Sequence, residues 1–119
     1  MDNKIISREP QNGKSRFPLA EINGETAGYV GSYFLSGEVY ITNVAVKNKY
    51  RRKGVAVGLL SELIDLAKEA ESEFVSLEVR CSNTPAISLY GKLGFGKIGI
   101  RKNFYENPRE DALIMTKYL

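Results

Sequence analysis

The sequence predicts an α/β protein, of the α+β kind with a mixed β-sheet and helices packed against it. Two observations lead to this prediction: closely spaced apolar runs broken by tight turns in the first half, and strands linked by helices in the second. Strands that follow one another through tight turns form an antiparallel meander, whereas strands joined by a helix can lie parallel. We therefore expect a meander followed by helix, strand, helix, strand and strand.

The meander is predicted from turn signals between apolar runs. Asn-Gly at residues 23 and 24 separates two such runs, and this pair suits a hairpin because both central turn positions need positive φ. Ser36-Gly37 marks a second turn. The expected strands are Phe17–Ile22, the run from Ala27 to Tyr33, and Val39–Val46. The polar stretch Met1–Arg16 is expected to be a loop or frayed terminus, with a short helix that ends at Ile5 and Ile6 as one alternative.

The second half contains the expected helices. Apolar residues recur at helical spacing from Val55 to Ala70, and charged residues occupy the other face. Phe74–Val79 returns to strand character. Asn83-Thr84-Pro85 then supplies a cap and a proline at the first helical position, and Gly94 ends this short helix. Two more strands are expected near Gly96–Arg101 and Ala112–Tyr118, joined by a loop around Asn107-Pro108.

Composition excludes several classes of function. The 119 residues are 43% hydrophobic, which suits one domain with one core. A net charge of +3 is too small to indicate a nucleic-acid partner. With Cys81 as its single cysteine and no histidine, the chain cannot form an internal disulfide, and neither a metal site nor a histidine-based nucleophile is expected. No apolar run is long enough to span a membrane and no signal-peptide core is evident, so we expect a cytoplasmic protein without a membrane partner.

The segment Arg51-Arg52-Lys53-Gly54-Val55-Ala56 lies between a predicted strand and the long helix. Unpartnered N–H groups at a helix start, the helix dipole and nearby basic side chains suit a phosphate or pyrophosphate. An ordinary solvated basic loop is an equally good interpretation of this segment alone. A Walker-type loop is excluded because no Gly-Lys-Ser/Thr follows, and the three-glycine dinucleotide pattern is missing.

The surrounding residues favour the phosphate interpretation. Ile41-Thr42-Asn43-Val44-Ala45-Val46 followed by Tyr50–Ala56 resembles the strand and pyrophosphate loop of the GNAT superfamily of N-acetyltransferases. Its signature of Arg or Gln, two residues, Gly, one residue, then Gly or Ala is met by Arg51, Gly54 and Ala56. From about Leu19 to the C-terminus, the chain looks most like the ribosomal-protein alanine N-acetyltransferase branch. Further matching segments are Leu77–Arg80, Ser82-Asn83, Ala86, Leu89-Tyr90, Leu93–Phe95, Arg101–Tyr105 and Arg109–Ala112.

This resemblance implies a GNAT fold with splayed central strands and acetyl-CoA as cofactor, with CoA as product. The pantetheine arm would bind in the splay through backbone hydrogen bonds, which need no particular side chain. The pyrophosphate would bind the loop amides. Asn83 would contact the cofactor, although its sequence suits a helix cap equally well. The implied cofactor-binding residues are Val44, Ala45, Val46, Arg51, Arg52, Lys53, Gly54, Val55, Ala56, Val57 and Asn83.

The resemblance also implies two catalytic residues. Glu78 would be the general base that accepts the amine proton, directly or through a water, although a solvent-facing strand glutamate is the alternative. Tyr90 would protonate the departing thiolate, although a core aromatic on a helix is the alternative. The carbonyl oxygen would be polarised by a backbone N–H at Val44. No basic partner is evident for Cys81, so we expect a structural role for it and direct attack in a ternary complex.

The N-terminus departs from the family pattern. Members usually begin with a strand and two helices that form one wall of the acceptor groove, and the residues before Leu19 are too few to build them. We therefore expect residues 1–18 to be a polar segment, with a remnant of an acceptor-side helix as one interpretation, and residues 19–119 to form the acetyl-CoA-binding domain. Either the chain is a truncated form or another chain supplies the wall, and exposed apolar surface would favour a homo-oligomer.

The resemblance implies transfer of acetyl to an amine, with a protein N-terminal α-amine, of a ribosomal protein, as the family's acceptor. Two alternatives stay open. One is a lysine, polyamine or other small amine as acceptor. The other is a non-catalytic acyl-CoA-binding module, which the short N-terminus favours and the presence of both Glu78 and Tyr90 disfavours.

Overall fold

The computed structural model describes residues 3–8 and 17–119, which form a seven-stranded sheet with two α-helices and one short 3-10 helix. The strands of this sheet are β1 (Asn3–Arg8), β2 (Phe17–Ile22), β3 (Glu25–Leu35), β4 (Glu38–Val46), β5 (Phe74–Arg80), β6 (Gly96–Tyr105) and β7 (Glu110–Tyr118). The helices are α1 (Val55–Glu69), α2 (Thr84–Lys92) and the 3-10 turn Asn48–Tyr50.

The sheet is mixed, as the sequence predicts. Its strand order is β1-β2-β3-β4-β5-β7-β6, in which β4 and β5 are parallel and the other neighbours antiparallel. The crossover through α1 makes β4 and β5 parallel, because a helix returns the chain to the same end of the sheet. The meander and the helix-linked second half are thus confirmed.

Both predicted turns have the backbone conformation that their residues favour. Asn23 and Gly24 have φ of 52° and 80°, and Ser36 and Gly37 have φ of 43° and 85°. Positive φ at two successive positions is the signature of a tight hairpin turn that matches strand twist. The hairpin prediction for β2–β3–β4 is therefore confirmed.

The strands β4 and β5 separate after a short paired stretch. Their register covers three pairs, from Glu38 opposite Phe74 to Tyr40 opposite Ser76. Beyond Tyr40, β4 keeps its pairing with β3 but has none with β5. The segment from Ile41 to Val46 therefore presents a free backbone edge inside the sheet, which confirms the splay.

The core lies between α1 and one face of the sheet. Leu59, Leu60, Leu63 and Ala67 are fully buried, and their spacing of three and four residues places them on one side of the helix. The odd-numbered residues of β5 are buried in the same cluster, so its even-numbered residues, Glu78 among them, point to the opposite face.

Two expectations about the chain before this core need correction. Asn3–Arg8 forms strand β1, paired with β2 along its whole length, so the prediction of a loop, or of a helix ending at Ile5 and Ile6, is wrong. Tertiary pairing decides this strand, because its short polar sequence gives no clear period. The expected absence of an N-terminal strand is wrong for the same reason. The boundary proposed at residues 18 and 19 falls inside β2.

The expected absence of a helix pair falls mainly on residues 9–16, which lie outside the described residues. In the described part, α2 begins at Thr84, so Pro85 is one position later than the sequence predicts. No helix in the described ranges is long and apolar enough to cross a membrane.

Candidate active site

The loop between β4 and α1 has the backbone of an anion site. Arg52 and Gly54 have positive φ values of 62° and 77°, and Gly54 caps α1 without any side-chain hydrogen bond. The first amides of α1 therefore have no partner within the helix. They border a cavity of about 220 Å³ whose lining includes no acidic residue: Val46, Tyr50, Arg51, Arg52, Gly54, Val55, Ala56, Val57 and Leu89.

A carboxylate on β3 holds the start of this loop. Glu25 forms ion pairs with Lys47 at 3.2 Å and Lys49 at 2.8 Å, and it accepts a 2.7 Å hydrogen bond from the Tyr50 hydroxyl. Hydrogen bonds from Lys49, Tyr50 and Lys47 lower the pKa of the Glu25 carboxyl to about 2. No local pattern predicts this cluster, because Lys47 and Tyr50 are 22 and 25 residues from Glu25.

The free edge of β4 lies next to this loop. Val44, Ala45 and Val46 pair with Val30, Tyr29 and Gly28 of β3 and have no strand partner on the other side. The Arg51 side chain reaches back, and its Nε donates to the Val46 carbonyl oxygen at 3.2 Å. An extended group could bind in the splay as an additional strand, since alternate N–H and C=O groups point into it.

Asn83 lies at the start of α2. Its side-chain oxygen accepts a 3.3 Å hydrogen bond from the Ala86 N–H, which is the capping role. Of the two roles weighed for Asn83, the structure shows the cap. Its contact with a cofactor stays a prediction.

Glu78 lies in a groove of about 500 Å³ on the sheet face opposite α1. Its Oε1 is 3.5 Å from the Arg101 Nε, whereas its Oε2 is buried and has no hydrogen-bond partner. An orphaned buried carboxylate oxygen is costly unless something binds it, and such atoms are concentrated at functional sites. The groove lining consists of Tyr33, Tyr40, Ile41, Thr42, Phe74, Ser76, Leu77, Glu78, Ile98, Arg101, Phe104, Tyr105, Ile114, Thr116 and Tyr118.

Tyr90 does not line this groove. It packs edge-on against Phe95 with ring centroids 5.9 Å apart, and it follows Leu89, which lines the cavity beside the loop. Burial raises the pKa of the Tyr90 hydroxyl, so this group stays protonated at neutral pH. The Tyr105 hydroxyl, which lines the groove with Glu78, also raises the Tyr90 pKa, so both predicted catalytic side chains lie within electrostatic reach of Tyr105. Cys81 is a half-buried free thiol.

One wall of the groove is the β6–β7 hairpin, which includes the Tyr105 loop, a segment whose sequence suits either a groove wall or packing on the sheet. Phe104 and Tyr105 stack edge to face at 5.0 Å, and Arg101 lies over the Phe104 ring at 5.7 Å. Burial and the neighbouring Glu78 charge raise the pKa of the Tyr105 hydroxyl. On the other side of the groove, Tyr40 stacks on Tyr33 at 5.2 Å.

A splayed sheet, an amide-lined basic cavity and an orphaned carboxylate together define an acetyltransferase of the GNAT type. The chain belongs to the acetyltransferase (GNAT) family, whose model matches residues 3–95. Acetyl-CoA is the acetyl donor and cofactor of this class.

Two relatives place the chain within the family, and two solved structures share its fold. It is 40% identical over 96 residues to the ribosomal protein bS18 alanine N-acetyltransferase of Escherichia coli, covering 79% of this chain and 65% of that protein. It is 35% identical over 116 residues to the N-alpha-acetyltransferase of Sulfurisphaera tokodaii, covering 87% and 69%. The chain thus spans about two thirds of the length of these relatives.

The crystal structure of the Escherichia coli ribosomal-protein-S18-alanine N-acetyltransferase superposes with a TM-score of 0.89 at 29% identity, covering 98% of this chain and 94% of that one. An acetyl-CoA-bound GNAT structure from Elizabethkingia anophelis superposes at 0.85 with 24% identity, covering 98% of both chains, and supports the fold alone. No cluster of three potential metal ligands occurs among residues 3–8 and 17–119.

Proposed function

We propose that this chain transfers acetyl from acetyl-CoA to the N-terminal α-amine of a protein. The observation that carries the proposal is Oε2 of Glu78, buried without a partner in a groove beside the splayed strands. The similarity to N-acetyltransferases of ribosomal protein bS18 and to archaeal N-alpha-acetyltransferases supports an N-terminal amine over other acceptors. Ribosomal protein is thus the acceptor class to test first.

The residues around the loop fit the proposed cofactor. The amides of Arg52 to Val57 and the Arg51 side chain would hold the pyrophosphate at the start of α1, where the helix dipole favours negative charge. Backbone groups of Val44, Ala45 and Val46 would pair with the pantetheine arm. This binding needs no side-chain chemistry, which accounts for three plain aliphatic residues at a ligand-binding edge.

Bound acetyl-CoA supplies an activated thioester. Glu78 would accept the amine proton as the amine nitrogen bonds to the carbonyl carbon and the bond from that carbon to sulfur breaks. The Tyr90 hydroxyl would donate a proton to the departing sulfur, and the Val44 N–H would stabilise the carbonyl oxygen. Glu78 would then release its proton to solvent and Tyr90 would regain one from solvent. An N-terminal amine has a pKa of about 7.7–8.0, so a large fraction is already neutral at physiological pH and a carboxylate suffices as base.

The proposal is tested by acetyl-CoA titration calorimetry followed by thiol release with an acceptor panel in the same sample. The panel contains free N-terminal peptides, the same peptides blocked at the N-terminus, internal lysine peptides and a small polyamine. Acetylation of the free N-termini alone supports the proposal. Acetylation of the lysine peptides or of the polyamine would contradict an N-terminal acceptor, and binding without any turnover supports a non-catalytic acyl-CoA module instead.

We further propose that the chain acts in the cytoplasm as a homo-oligomer. Tyr29, Tyr33 and Leu35 of β3 are 37%, 38% and 49% exposed, and they form an apolar strip beside the groove. A second copy of the chain is the expected cover for this strip, because contiguous exposed apolar surface marks a protein interaction site. Sedimentation velocity tests it: a monomer at micromolar concentration contradicts self-association, and Leu35→Ser should dissociate a dimer.

A further inference from the structure

Arg80 is the last residue of β5. It lies two positions after Glu78, so both side chains extend from the same sheet face. Its side chain is half-buried at 31% exposure and is not one of the predicted cofactor or catalytic residues.

The guanidinium of Arg80 binds the β6–β7 hairpin at several points. Its Nη1 donates to the Pro108 carbonyl oxygen at 2.9 Å, and its Nη2 donates to the Glu106 carbonyl oxygen at 3.2 Å. The same Nη1 pairs with the Glu110 carboxylate at 3.3 Å. Two carbonyl oxygens and one carboxylate thus fix the position of the planar Arg80 guanidinium. A lysine ammonium could not make the same set of contacts, because its donors do not lie in one plane.

A stacking contact connects this binding to the groove. The Cζ atom of Arg80 lies 4.3 Å from the centroid of the Tyr105 ring, within the range of a cation–π contact. Tyr105 lines the groove together with Glu78. The hairpin carbonyls hold the Arg80 guanidinium in place, and the guanidinium in turn holds the Tyr105 ring beside the Glu78 carboxylate.

The Glu110 carboxylate also connects the β6–β7 hairpin to the start of α2. It accepts a 2.6 Å hydrogen bond from the Ser82 N–H, one residue before the Asn83 cap. That hydrogen bond and the Arg80 contact hold the pKa of the Glu110 carboxyl below its usual value. The hairpin is thus attached to β5 through the Arg80–Glu110 ion pair and to the α2 start through the Ser82–Glu110 hydrogen bond.

We propose that Arg80 is a positioning residue for the acceptor: it holds the β6–β7 hairpin, and with it Tyr105, as the fixed wall of the groove over Glu78. The inference rests on the proposed function and specifies how the acceptor side of that site is organised. In the described residues, this hairpin is the wall of the groove on the β6 side, so an acceptor amine can be aligned with Glu78 only while the wall stays in place. A misplacement of about 1 Å in such a positioning element can cost roughly 100-fold in rate.

The test compares Arg80→Met with Arg109→Met. Arg109 is an exposed arginine of the same hairpin that takes part in none of these contacts, so the two variants lose the same charge. Arg80→Met should raise the acceptor KM by about tenfold or more and leave the acetyl-CoA Kd unchanged, whereas Arg109→Met should change neither. Arg80→Lys should behave like Arg80→Met because it lacks the planar fork.

A double-mutant cycle separates positioning from loss of folding. Tyr105→Leu should raise the acceptor KM. The acceptor KM of the Arg80→Met/Tyr105→Leu double variant should be no higher than that of the more impaired single variant, because both substitutions act through one contact. If the wild type acetylates peptide, two results would overturn the role of Arg80 and leave the proposed function intact. One is an unchanged acceptor KM in Arg80→Met, and the other is additive effects of the two substitutions. A wild-type chain that binds acetyl-CoA without acetylating any peptide would overturn the proposed function together with this inference.

Discussion

Glu78 on β5 and Arg101 on β6 form an ion pair across the intervening strand β7, with Nε 3.5 Å from Oε1. The pair uses one carboxylate oxygen and leaves the other buried and unpartnered. Arg101 is 58% exposed and Glu78 28% exposed, so solvent weakens the attraction and its contribution to stability is small. We therefore assign the pair to orienting the carboxylate in the groove rather than to holding the sheet together.

Glu78→Gln should lower kcat by about 100-fold or more, because an amide cannot accept the amine proton. The acetyl-CoA Kd should stay within twofold of the wild type, since Glu78 lies apart from the cavity that borders the loop. Thiol release gives kcat and calorimetry gives Kd. Glu69→Gln, an exposed change on α1, is the matched control. Equal loss of activity in both variants would remove Glu78 from the mechanism.

Arg101→Gln should lower kcat while the free energy of unfolding changes by less than about 1 kcal/mol, the range of exposed ion pairs. The reason is that the pair orients the Glu78 carboxylate without burying either charge fully. Urea denaturation and steady-state kinetics on the same preparation check the prediction. A loss of several kcal/mol without a kinetic effect would make the pair structural.

Gly54→Ala should weaken acetyl-CoA binding and destabilise the chain by about 1 kcal/mol, because alanine is strained at the φ of 77° that Gly54 adopts. An added Cβ there meets no atom within 4 Å, so backbone strain rather than a steric clash accounts for the loss of stability. Gly91→Ala is the control: it also meets nothing within 4 Å, but Gly91 lies in α2. That change should stabilise the chain by roughly 0.5 kcal/mol. Similar effects of the two changes would contradict this explanation.

Lowering the pH should destabilise the loop before α1 through Glu25. The folded-state pKa of Glu25 is lowered to about 2, so its contribution is complete above the unfolded value near 4.5 and is lost as the pH falls from about 4.5 toward 2. Denaturation at pH 7, 4.5 and 3 should therefore show that the free energy of unfolding decreases more with falling pH in the wild type than in Glu25→Gln. Parallel pH dependence of the two proteins would mean that the cluster does not act on stability.

Tyr90→Phe should lower kcat by about tenfold or less, since a thiolate is already a fair leaving group and the benefit of a proton donor is modest. Burial raises the pKa of the Tyr90 hydroxyl, so the donor stays protonated and no loss of activity between pH 7 and 9 should come from it. The kcat–pH profiles of the two proteins should have the same shape in this window. An alkaline decrease that disappears in Tyr90→Phe would contradict the assigned protonation state.

The β1 strand and the Glu25 cluster show where the sequence was insufficient. Asn3–Arg8 has too short and polar a pattern to indicate a strand, and only its pairing with Phe17–Ile22 makes it one. The Glu25 contacts join residues more than 20 positions apart, and one sequence holds no signal for such a pairing. Local patterns, by contrast, predicted the Asn23-Gly24 turn and the Asn83 cap, because both depend on neighbouring residues alone.

From β2 onward, the sequence by itself determined the order of strands and helices, the positive-φ turns and the basic loop before α1, because side-chain period, φ preference and helix-start chemistry are local properties. Only the tertiary structure decided that β4 and β5 pair at three positions and then separate, and that Arg101 and Tyr105 border Glu78. These relationships join residues 20 to 40 positions apart through sheet order and twist. The physical reason is that strand pairing brings distant segments into contact, and no local pattern records which pairs will meet.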